Sequence, residues 1–279
     1  MKDFKDRVAV ITGAANGIGR GIADRCSEEG MKVVLADVET EALRKAEGEL
    51  KAAGAETLAV VTDVSKVEDI ESLAKEVLDS FGAVDLLFNN AGVCVSANTS
   101  ISESPLADWE WLMGVNLWGE IHSLRVFLPI MLQQGTVGHI VNTSSIAGLI
   151  STPGMGIYQV TKHGIVTLSE TLYHELKSIE SKIGVSVLCP GHVRTEILKS
   201  ERNRPVELRN YSEDKKHDPH YEKVIQEGMP PEEVAEHVFN AIRENRFYIF
   251  THPEFKKAMQ LRTEDILQER NPTLPFPST

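Results

Sequence analysis

The chain has 279 residues, of which 42% are apolar and 25% charged, with a formal net charge of −12. This composition indicates a soluble globular protein with one α/β core and excludes disordered and fibrous classes. The negative charge, with no basic patch, argues against nucleic acid or an anionic membrane as a partner. The three cysteines are widely spaced without a CxxC pair, so we expect no disulfide framework, no metal site and a cytoplasmic location.

Short apolar segments alternate with longer segments whose apolar residues follow helical spacing. We predict seven strands, at 7–12, 32–36, 57–62, 85–89, 139–144, 185–190 and 247–250. The first six are nearly unbroken Val, Ile and Leu runs, which is typical of parallel strands covered on both faces. We predict helices at 17–29, 39–53, 66–81, 107–134, 157–179 and 231–244. The order predicts one α/β domain over 1–279, a doubly wound parallel sheet of Rossmann type with ligands at the carboxyl ends of its strands.

Two segments do not fit the alternation of strands and helices. Residues 197–230 are long and highly charged for a connection, so we expect a substrate lid there, with disorder as the alternative. Residues 251–279 form a C-terminal extension that we expect to be helical and then extended. The sequence assigns no role to this extension.

The first predicted strand is followed at once by TGAANGIGRG, in which Gly13, Gly17 and Gly19 have the spacing GxxxGxG. Glycine lets the backbone turn tightly and approach a pyrophosphate, and the helix N-terminus that follows attracts its charge. A glycine-rich turn from strand to helix can also be simple packing. The motif alone therefore does not decide between a dinucleotide site and packing.

The end of the second predicted strand strengthens this interpretation. Asp37 lies where a dinucleotide fold places an acid on the adenosine ribose; it could instead be a helix N-cap, or serve both roles. Neither Asn16 nor Val38 is basic, and Glu39 adds a negative charge. A 2′-phosphate would be repelled, which favours NAD over NADP. Asp63, after the third strand, could face the adenine or cap the next helix.

A second group of polar residues lies at the predicted ends of later strands. FNNAG ends the fourth strand, and Ser144 and Ser145 end the fifth. Tyr158 and Lys162 follow, four residues apart, so that they share one helix face. Such a pair is usually packing, and a serine here could be a hydrolase nucleophile, but the chain has no GxSxG elbow.

Taken together, these motifs resemble the short-chain dehydrogenase/reductase family over roughly residues 5 to 250. TGAANGIG, NNAG, Asn116 in GVNLWG, Ser145, YQVTK and PGHVRT stand in the family's order and spacing. The resemblance implies that Tyr158 is the general acid/base and that Lys162 holds ribose hydroxyls and acidifies the tyrosine. It also implies that Ser145 binds the reacting oxygen and that Asn116 anchors a water.

The resemblance and the residue patterns together imply NAD as the cofactor, held along one edge of the sheet. The expected contacts are Gly13, Asn16, Gly17, Ile18, Gly19, Asp37, Val38, Asp63, Val64, Asn90, Ala91, Gly92, Tyr158, Lys162, Pro190, Gly191, Val193 and Thr195.

Proton removal from an alcohol near neutral pH requires a tyrosine pKa about 2–3 units below its ordinary value near 10. An ammonium about 4 Å away supplies on the order of 4 kcal/mol at an effective dielectric constant of 20. We therefore expect Lys162 to supply nearly all of the required shift.

The sequence thus predicts an NAD-dependent oxidoreductase that interconverts a secondary alcohol and a ketone. An apolar substrate is expected, because the predicted substrate wall is mostly apolar: Cys94, Val95, Ile146, Leu149, Met155, His192 and residues of segment 197–230. The alternatives are an NAD-sensing regulatory protein with an idle site and an enzyme of the related epimerase/dehydratase branch. The resemblance also implies a homo-oligomer, a tetramer or dimer, built on the helices at 107–134 and 157–179, with 247–250 near a second interface.

Overall fold

A computed structural model describes residues 1–95, 99–209 and 219–276 of the chain. Its centre is a seven-stranded parallel sheet in the order β3-β2-β1-β4-β5-β6-β7. The strands are β1 Val8–Thr12, β2 Lys32–Asp37, β3 Thr57–Val61, β4 Leu86–Asn89, β5 Gly138–Thr143, β6 Ile183–Cys189 and β7 Tyr248–Phe250. All seven predicted strands are confirmed to within two residues, and so is the doubly wound fold.

Nine α-helices lie in the described part of the chain. They are α1 Gly17–Glu28, α2 Thr40–Ala52, α3 Val67–Phe81, α4 Leu106–Leu112, α5 Gly119–Gln134, α6 Gly156–Ser178, α7 Pro219–Gln226, α8 Pro231–Glu244 and α9 Lys256–Leu267. None of these helices combines the length and apolar character needed to cross a bilayer.

Both faces of the sheet are covered, which explains the unbroken apolar strands. Ile11 of β1 belongs to a core cluster with Ile22 of α1 and Phe239 of α8. Its neighbour Val10 belongs to the opposite cluster, with residues of α3, α5 and α6 such as Phe127 and Leu172. Successive strand residues point to opposite faces, so every position must be apolar where helices cover both.

The helix predicted at 107–134 is not a uniform α-helix. A π-helical segment, Met113–Trp118, separates α4 from α5. Within it Asn116 is buried. Its side-chain oxygen accepts the Val93 amide at 2.8 Å, and its side-chain nitrogen donates to the Val93 carbonyl at 3.0 Å. π-Helical turns are frequent at functional sites because they displace one side chain from the regular helical pattern. The periodicity of apolar residues carries no sign of this displacement.

The described parts of segment 197–230 lie beyond the carboxyl ends of the strands, where the Ser200 hydroxyl accepts the Cys94 amide at 3.2 Å. They contain the short 3₁₀ turns Ile197–Asn203 and Val206–Leu208 and helix α7, whereas 210–218 lies outside the described residues. Arg204 is buried here, with ion pairs to Asp108 and Glu201, and its guanidinium lies 4.2 Å from the ring centroid of Trp111. These contacts attach the segment to α4.

His139 at the start of β5 is a buried packing residue with a consequence for acid stability. Its Nε2 lies 2.8 Å from the Ser186 hydroxyl, which itself donates to the Arg246 carbonyl at 2.7 Å. The imidazole Nε2 is therefore the donor in the first bond. Burial lowers the pKa of His139 to about 3, so the ring is neutral in the folded protein.

We expect this histidine to destabilise the fold as the pH falls from about 6.5 toward 3. In that range the unfolded chain binds a proton that the folded chain does not, which costs about 1.4 kcal/mol per pH unit. His139→Gln, whose amide can still donate to Ser186, should remove this slope. Urea unfolding between pH 4 and pH 7 measures it, with the exposed His174→Gln as control. Equal slopes in all three proteins would contradict the prediction.

Candidate active site

A large cavity runs along the carboxyl ends of the strands, with a volume of about 500 Å³. It extends from Asp37 at the end of β2 to Tyr158 and Lys162 on α6. Such a crevice is where open parallel sheets bind their ligands. All but two of the predicted site residues line it, the exceptions being Gly19 and Asn116, which lie behind its wall.

The turn between β1 and α1 cannot accommodate side chains at its glycines. Gly13 and Gly17 have positive φ values of +65° and +56°. A Cβ on Gly19 would lie 2.0 Å from the Gly13 carbonyl oxygen, and one on Gly17 would lie 3.0 Å from the Thr195 methyl group. Without side chains at these glycines the backbone can come close to a ligand in the cavity, and the N-terminus of α1 that follows suits an anionic one.

Asp37 holds the adjacent part of the cavity wall in place. Its carboxylate accepts the amide of Ala15 at 2.9 Å and that of Glu39 at 3.0 Å. The N-cap of α2 is Glu39, so the alternative interpretation of Asp37 as the N-cap is wrong. Burial raises the pKa of Asp37, which these backbone hydrogen bonds oppose.

Asp63 serves a local turn and also lines the cavity. Its carboxylate accepts both the amide and the hydroxyl of Ser65, at 3.1 and 2.6 Å, just before α3. The N-cap of α3 is Lys66, so Asp63 does not cap that helix, and its place on the cavity wall leaves the contact with adenine as the remaining prediction.

Sequence reasoning missed a basic residue at this end of the cavity. Arg202, from the turn Ile197–Asn203, bonds to the Glu39 carboxylate at 2.6 and 3.1 Å, and Asn203 adds a third bond at 2.9 Å. These residues are 163 and 164 positions apart from Glu39, so no local pattern could have indicated the contact.

Asn90 and its neighbours connect β4 to the glycine turn. The Asn90 side chain donates to the carbonyls of Thr12 and Gly13 at 3.1 and 3.3 Å. The Thr12 hydroxyl accepts the amides of Asn90 and Ala91 in return. This network holds the ends of β1 and β4 together below the cavity.

The chemical end of the cavity is formed by Ser145, Tyr158 and Lys162. The Ser145 hydroxyl donates to the Pro190 carbonyl at 3.4 Å and lies close enough to the Tyr158 phenol to lower its pKa, whereas the Ser144 hydroxyl donates to the Lys162 carbonyl at 2.8 Å. Ser144 thus has a packing role, and Ser145 is the serine directed at the tyrosine. The Lys162 ammonium donates to the Thr143 carbonyl at 2.9 Å and lies 5.6 Å from the Tyr158 ring centroid.

Burial decides the charge state of these groups in the protein alone. It raises the pKa of the Tyr158 phenol, and the Ser145 hydrogen bond opposes this only in part. Burial also lowers the pKa of Lys162 to about 8, against the attraction of the buried Glu120 carboxylate. The protein's own residues therefore do not produce the acidic tyrosine that we predicted. Our prediction counted the ammonium but left out the desolvation of the phenol.

The motif PGHVRT follows β6 and forms the cavity wall opposite the glycine turn. Pro190, Gly191, Val193 and Thr195 all line the cavity, as predicted. His192 contacts the rings of Tyr221 and Phe255, at centroid distances of 6.0 and 5.6 Å. Burial lowers the pKa of His192, so its ring adds an uncharged surface to the cavity.

The substrate wall differs in part from our prediction. Cys94, Ile146, Met155 and His192 line the cavity, but Leu149 packs beneath α6 instead. Val95 borders a small neighbouring niche. Segment 197–230, which we also expected in this wall, contributes Tyr221 and Ile225. The apolar side chains that we missed include Trp111, Val115, Ile150, Phe255 and Phe276.

Two of the missed residues come from the C-terminal extension. After α9 the chain turns back, because the buried Asp265 accepts the Thr273 amide at 2.8 Å and pairs with Arg270 at 2.9 Å. The return brings the Phe276 ring to 5.8 Å from that of Phe255, at the cavity edge. The extension therefore contributes directly to the wall of the site.

The shape and chemistry of the cavity fit a dinucleotide. The glycine turn leaves room for a diphosphate, and Asp37 stands one strand away with its carboxylate oriented by two amides. The Ser145, Tyr158 and Lys162 side chains lie at the other end. An elongated ligand with a sugar at one end and a reactive ring at the other would contact all three parts.

Comparison with known proteins agrees with this geometry. Residues 7–205 match the family described as short chain dehydrogenase. A short-chain dehydrogenase/reductase from Burkholderia phymatum, solved in complex with NAD, is 47% identical, with a TM-score of 0.96 and 100% of both chains covered. The CLA biosynthesis dehydrogenase/reductase of Lactiplantibacillus plantarum is 38% identical over 98% of this chain and 97% of its own length. The C alpha-dehydrogenase of a Sphingobium strain is 34% identical over 98% and 89%.

The matched region contains the glycine turn, Asp37, Ser145, Tyr158 and Lys162, which are the residues that the fold gathers around one cavity. The chain is therefore an oxidoreductase of the short-chain dehydrogenase/reductase family.

Proposed function

We propose that the protein interconverts a secondary alcohol and a ketone, with NAD as cofactor and Tyr158 as general acid/base. The observation that carries this proposal is the placement of Ser145, Tyr158 and Lys162 at one end of a cavity whose other end is a glycine turn with an adjacent acid. When bound there, a nicotinamide dinucleotide would supply the hydride chemistry. The protein supplies the orientation, the proton and the exclusion of water.

The proton transfer follows from the side chains themselves. The Ser145 hydroxyl would hold the oxygen of the ketone or alcohol, and the Tyr158 hydroxyl would give its proton to that oxygen or take one from it. In the protein alone Tyr158 is protonated, which is the state needed to reduce a ketone. Oxidation of an alcohol requires the phenolate, which a positive charge bound in the cavity would favour together with the Lys162 ammonium.

Asn116 acts through the backbone rather than from the cavity surface. Its side chain bonds to the Val93 backbone and donates to the hydroxyl of Thr161, the residue before Lys162, at 3.3 Å. We propose that it holds this wall in place and anchors a water that passes protons from Lys162 outward. The π-helical segment directs the Asn116 side chain to Val93.

Two observations support NAD over NADP. The Asp37 carboxylate lines the cavity beside the glycine turn and would repel a phosphate on the adenosine ribose. The relative from Burkholderia phymatum was solved in complex with NAD.

The cavity lining supports an apolar substrate, with Trp111, Ile150, Tyr221, Phe255 and Phe276 around the chemical end.

We expect aryl and alkyl secondary alcohols to be oxidised with a kcat/KM at least about tenfold above that for polyols, because burying apolar surface is worth about 25 cal/mol per Å². Initial rates of NADH formation with 1-phenylethanol, 2-octanol and sorbitol, each run with NAD and with NADP, test this. A panel in which only sorbitol reacts would contradict the substrate assignment. Higher activity with NADP would contradict the cofactor assignment.

We further propose that the protein is a homo-oligomer in which α5 and α6 pair between copies. Trp118, just before α5, is 49% exposed, and Val160 on α6 is 48% exposed. We take these two exposed side chains as part of the surface that the second copy would cover. Segment 197–230 is proposed as the substrate lid, since its described parts contribute Tyr221 and Ile225 to the cavity wall.

A further inference from the structure

Glu39 and Arg202 form an ion pair at the end of the cavity where Asp37 lies. The pair is bidentate: Arg202 Nη2 and Nε donate to the two carboxylate oxygens of Glu39 at 2.6 and 3.1 Å. The Arg202 hydrogen bond lowers the pKa of Glu39, so the carboxylate is charged at neutral pH. Both side chains line the cavity and remain partly exposed.

Arg202 is held in place by more than Glu39. Its Nη1 donates to the carbonyls of Lys199 and Glu196, at 2.7 and 3.2 Å. These bonds close the turn Ile197–Asn203 on itself. A neutral residue at position 39 would therefore leave the guanidinium in place, with Nε and Nη2 free to donate.

The pair is also adjacent to the predicted ribose site. The Glu39 amide donates to the Asp37 carboxylate at 3.0 Å. The two acids are therefore close together where the chain passes from β2 to α2. Among the described residues that line the cavity, Lys and Arg side chains are confined to Lys162 and Arg202. Lys162 lies at the chemical end. Arg202 is thus the cation placed to meet a phosphate on the adenosine ribose.

We propose that Arg202 is a latent binding residue for the 2′-phosphate of NADP, and that Glu39 keeps it out of use. Arginine binds carboxylate and phosphate through the same two-pronged geometry, so the two compete for one guanidinium. The preference for NAD then has two causes. Asp37 repels the 2′-phosphate of NADP, and Glu39 pairs with the Arg202 guanidinium that could otherwise bind it. This inference rests on the proposed function, because it assumes that a nicotinamide dinucleotide binds in the cavity.

The test is the affinity for NADH and NADPH, measured by the fluorescence of the bound cofactor, which needs no substrate. The proteins are the wild type, E39Q, R202M, D37S, D37S/E39Q and D37S/E39Q/R202M. We expect D37S/E39Q to bind NADPH about tenfold more tightly than D37S, since a freed guanidinium forms a charge-assisted bidentate bond. Adding R202M should abolish this gain. The affinity of E39Q for NADH should stay within about threefold of the wild type, because the phosphate turn and Asp37 are unchanged.

Two outcomes would overturn the inference while leaving the proposed function intact. One is that the proteins bind NADH but E39Q does not raise the affinity for NADPH, either in the wild type or in D37S. The other is a gain that survives R202M, which would mean that Glu39 acts by repulsion alone. Absence of NADH binding by the folded wild type would instead overturn the proposed cofactor, and with it this inference. Thermal unfolding of each variant confirms that it is folded.

Discussion

Tyr158→Phe should lower kcat by about 10³-fold while leaving the affinity for NADH within about twofold of the wild type. General acid/base catalysis by a positioned side chain contributes about 10²–10⁴-fold, and this change removes only the hydroxyl that carries the proton. The ring keeps its place beside the cluster of Val93, Trp111 and Ile157. The free energy of unfolding should therefore change by less than about 1 kcal/mol.

Tyr248→Phe is the matched control for this variant. The Tyr248 hydroxyl also donates a hydrogen bond, to Glu170 at 2.5 Å, but the residue is not part of the cavity wall. Steady-state kinetics and NADH titration of both variants provide the comparison. A Tyr158→Phe enzyme with near-normal turnover would show that another group transfers the proton.

Gly19→Ala should weaken NADH binding by about 100-fold or more, which corresponds to about 2.7 kcal/mol. The new methyl group would lie 2.0 Å from the Gly13 carbonyl oxygen and 2.6 Å from the side-chain nitrogen of Asn90. Since the closest neighbour is backbone, relief requires the turn between β1 and α1 to open. Opening the turn moves the amides that would bind the diphosphate.

Gly48→Ala is the control for the glycine substitution. Gly48 lies within α2, and its Cβ would meet no other atom within 4 Å. Alanine in a helix interior is favoured over glycine by about 1 kcal/mol, so this variant should be slightly more stable and bind NADH normally. NADH titration and thermal unfolding of both variants separate the effect on the turn from a general effect. Normal NADH affinity in Gly19→Ala would contradict the proposed diphosphate site.

Most of the fold could be predicted because the determining pattern is local. Residues such as Val10 and Ile11 alternate between two faces that are both covered by helices. Each strand is therefore a run of apolar residues, regardless of which distant elements cover it. The glycine turn and the pair Tyr158 and Lys162 are local for the same reason. Each needs only a few adjacent residues to form its geometry.

The features that sequence reasoning missed depend on distant contacts or on burial. Phe276 reaches the cavity only because Asp265 turns the chain back, and Arg202 reaches Glu39 across the crevice. The direction of the Tyr158 pKa shift depends on how much water the surrounding elements exclude. None of these quantities has a signature in a short stretch of residues.

The most direct test of the account is the transfer of a hydride from an alcohol to NAD. The purified protein would be incubated with NAD and 1-phenylethanol carrying deuterium on the carbinol carbon, and the NADH analysed by mass spectrometry. We predict NADH that carries the deuterium, formed more slowly than from the unlabelled alcohol. An epimerase would not accumulate NADH, and a sensor would bind NAD without turnover. Bound NAD with no deuterium transfer from this or any other apolar secondary alcohol would contradict the account.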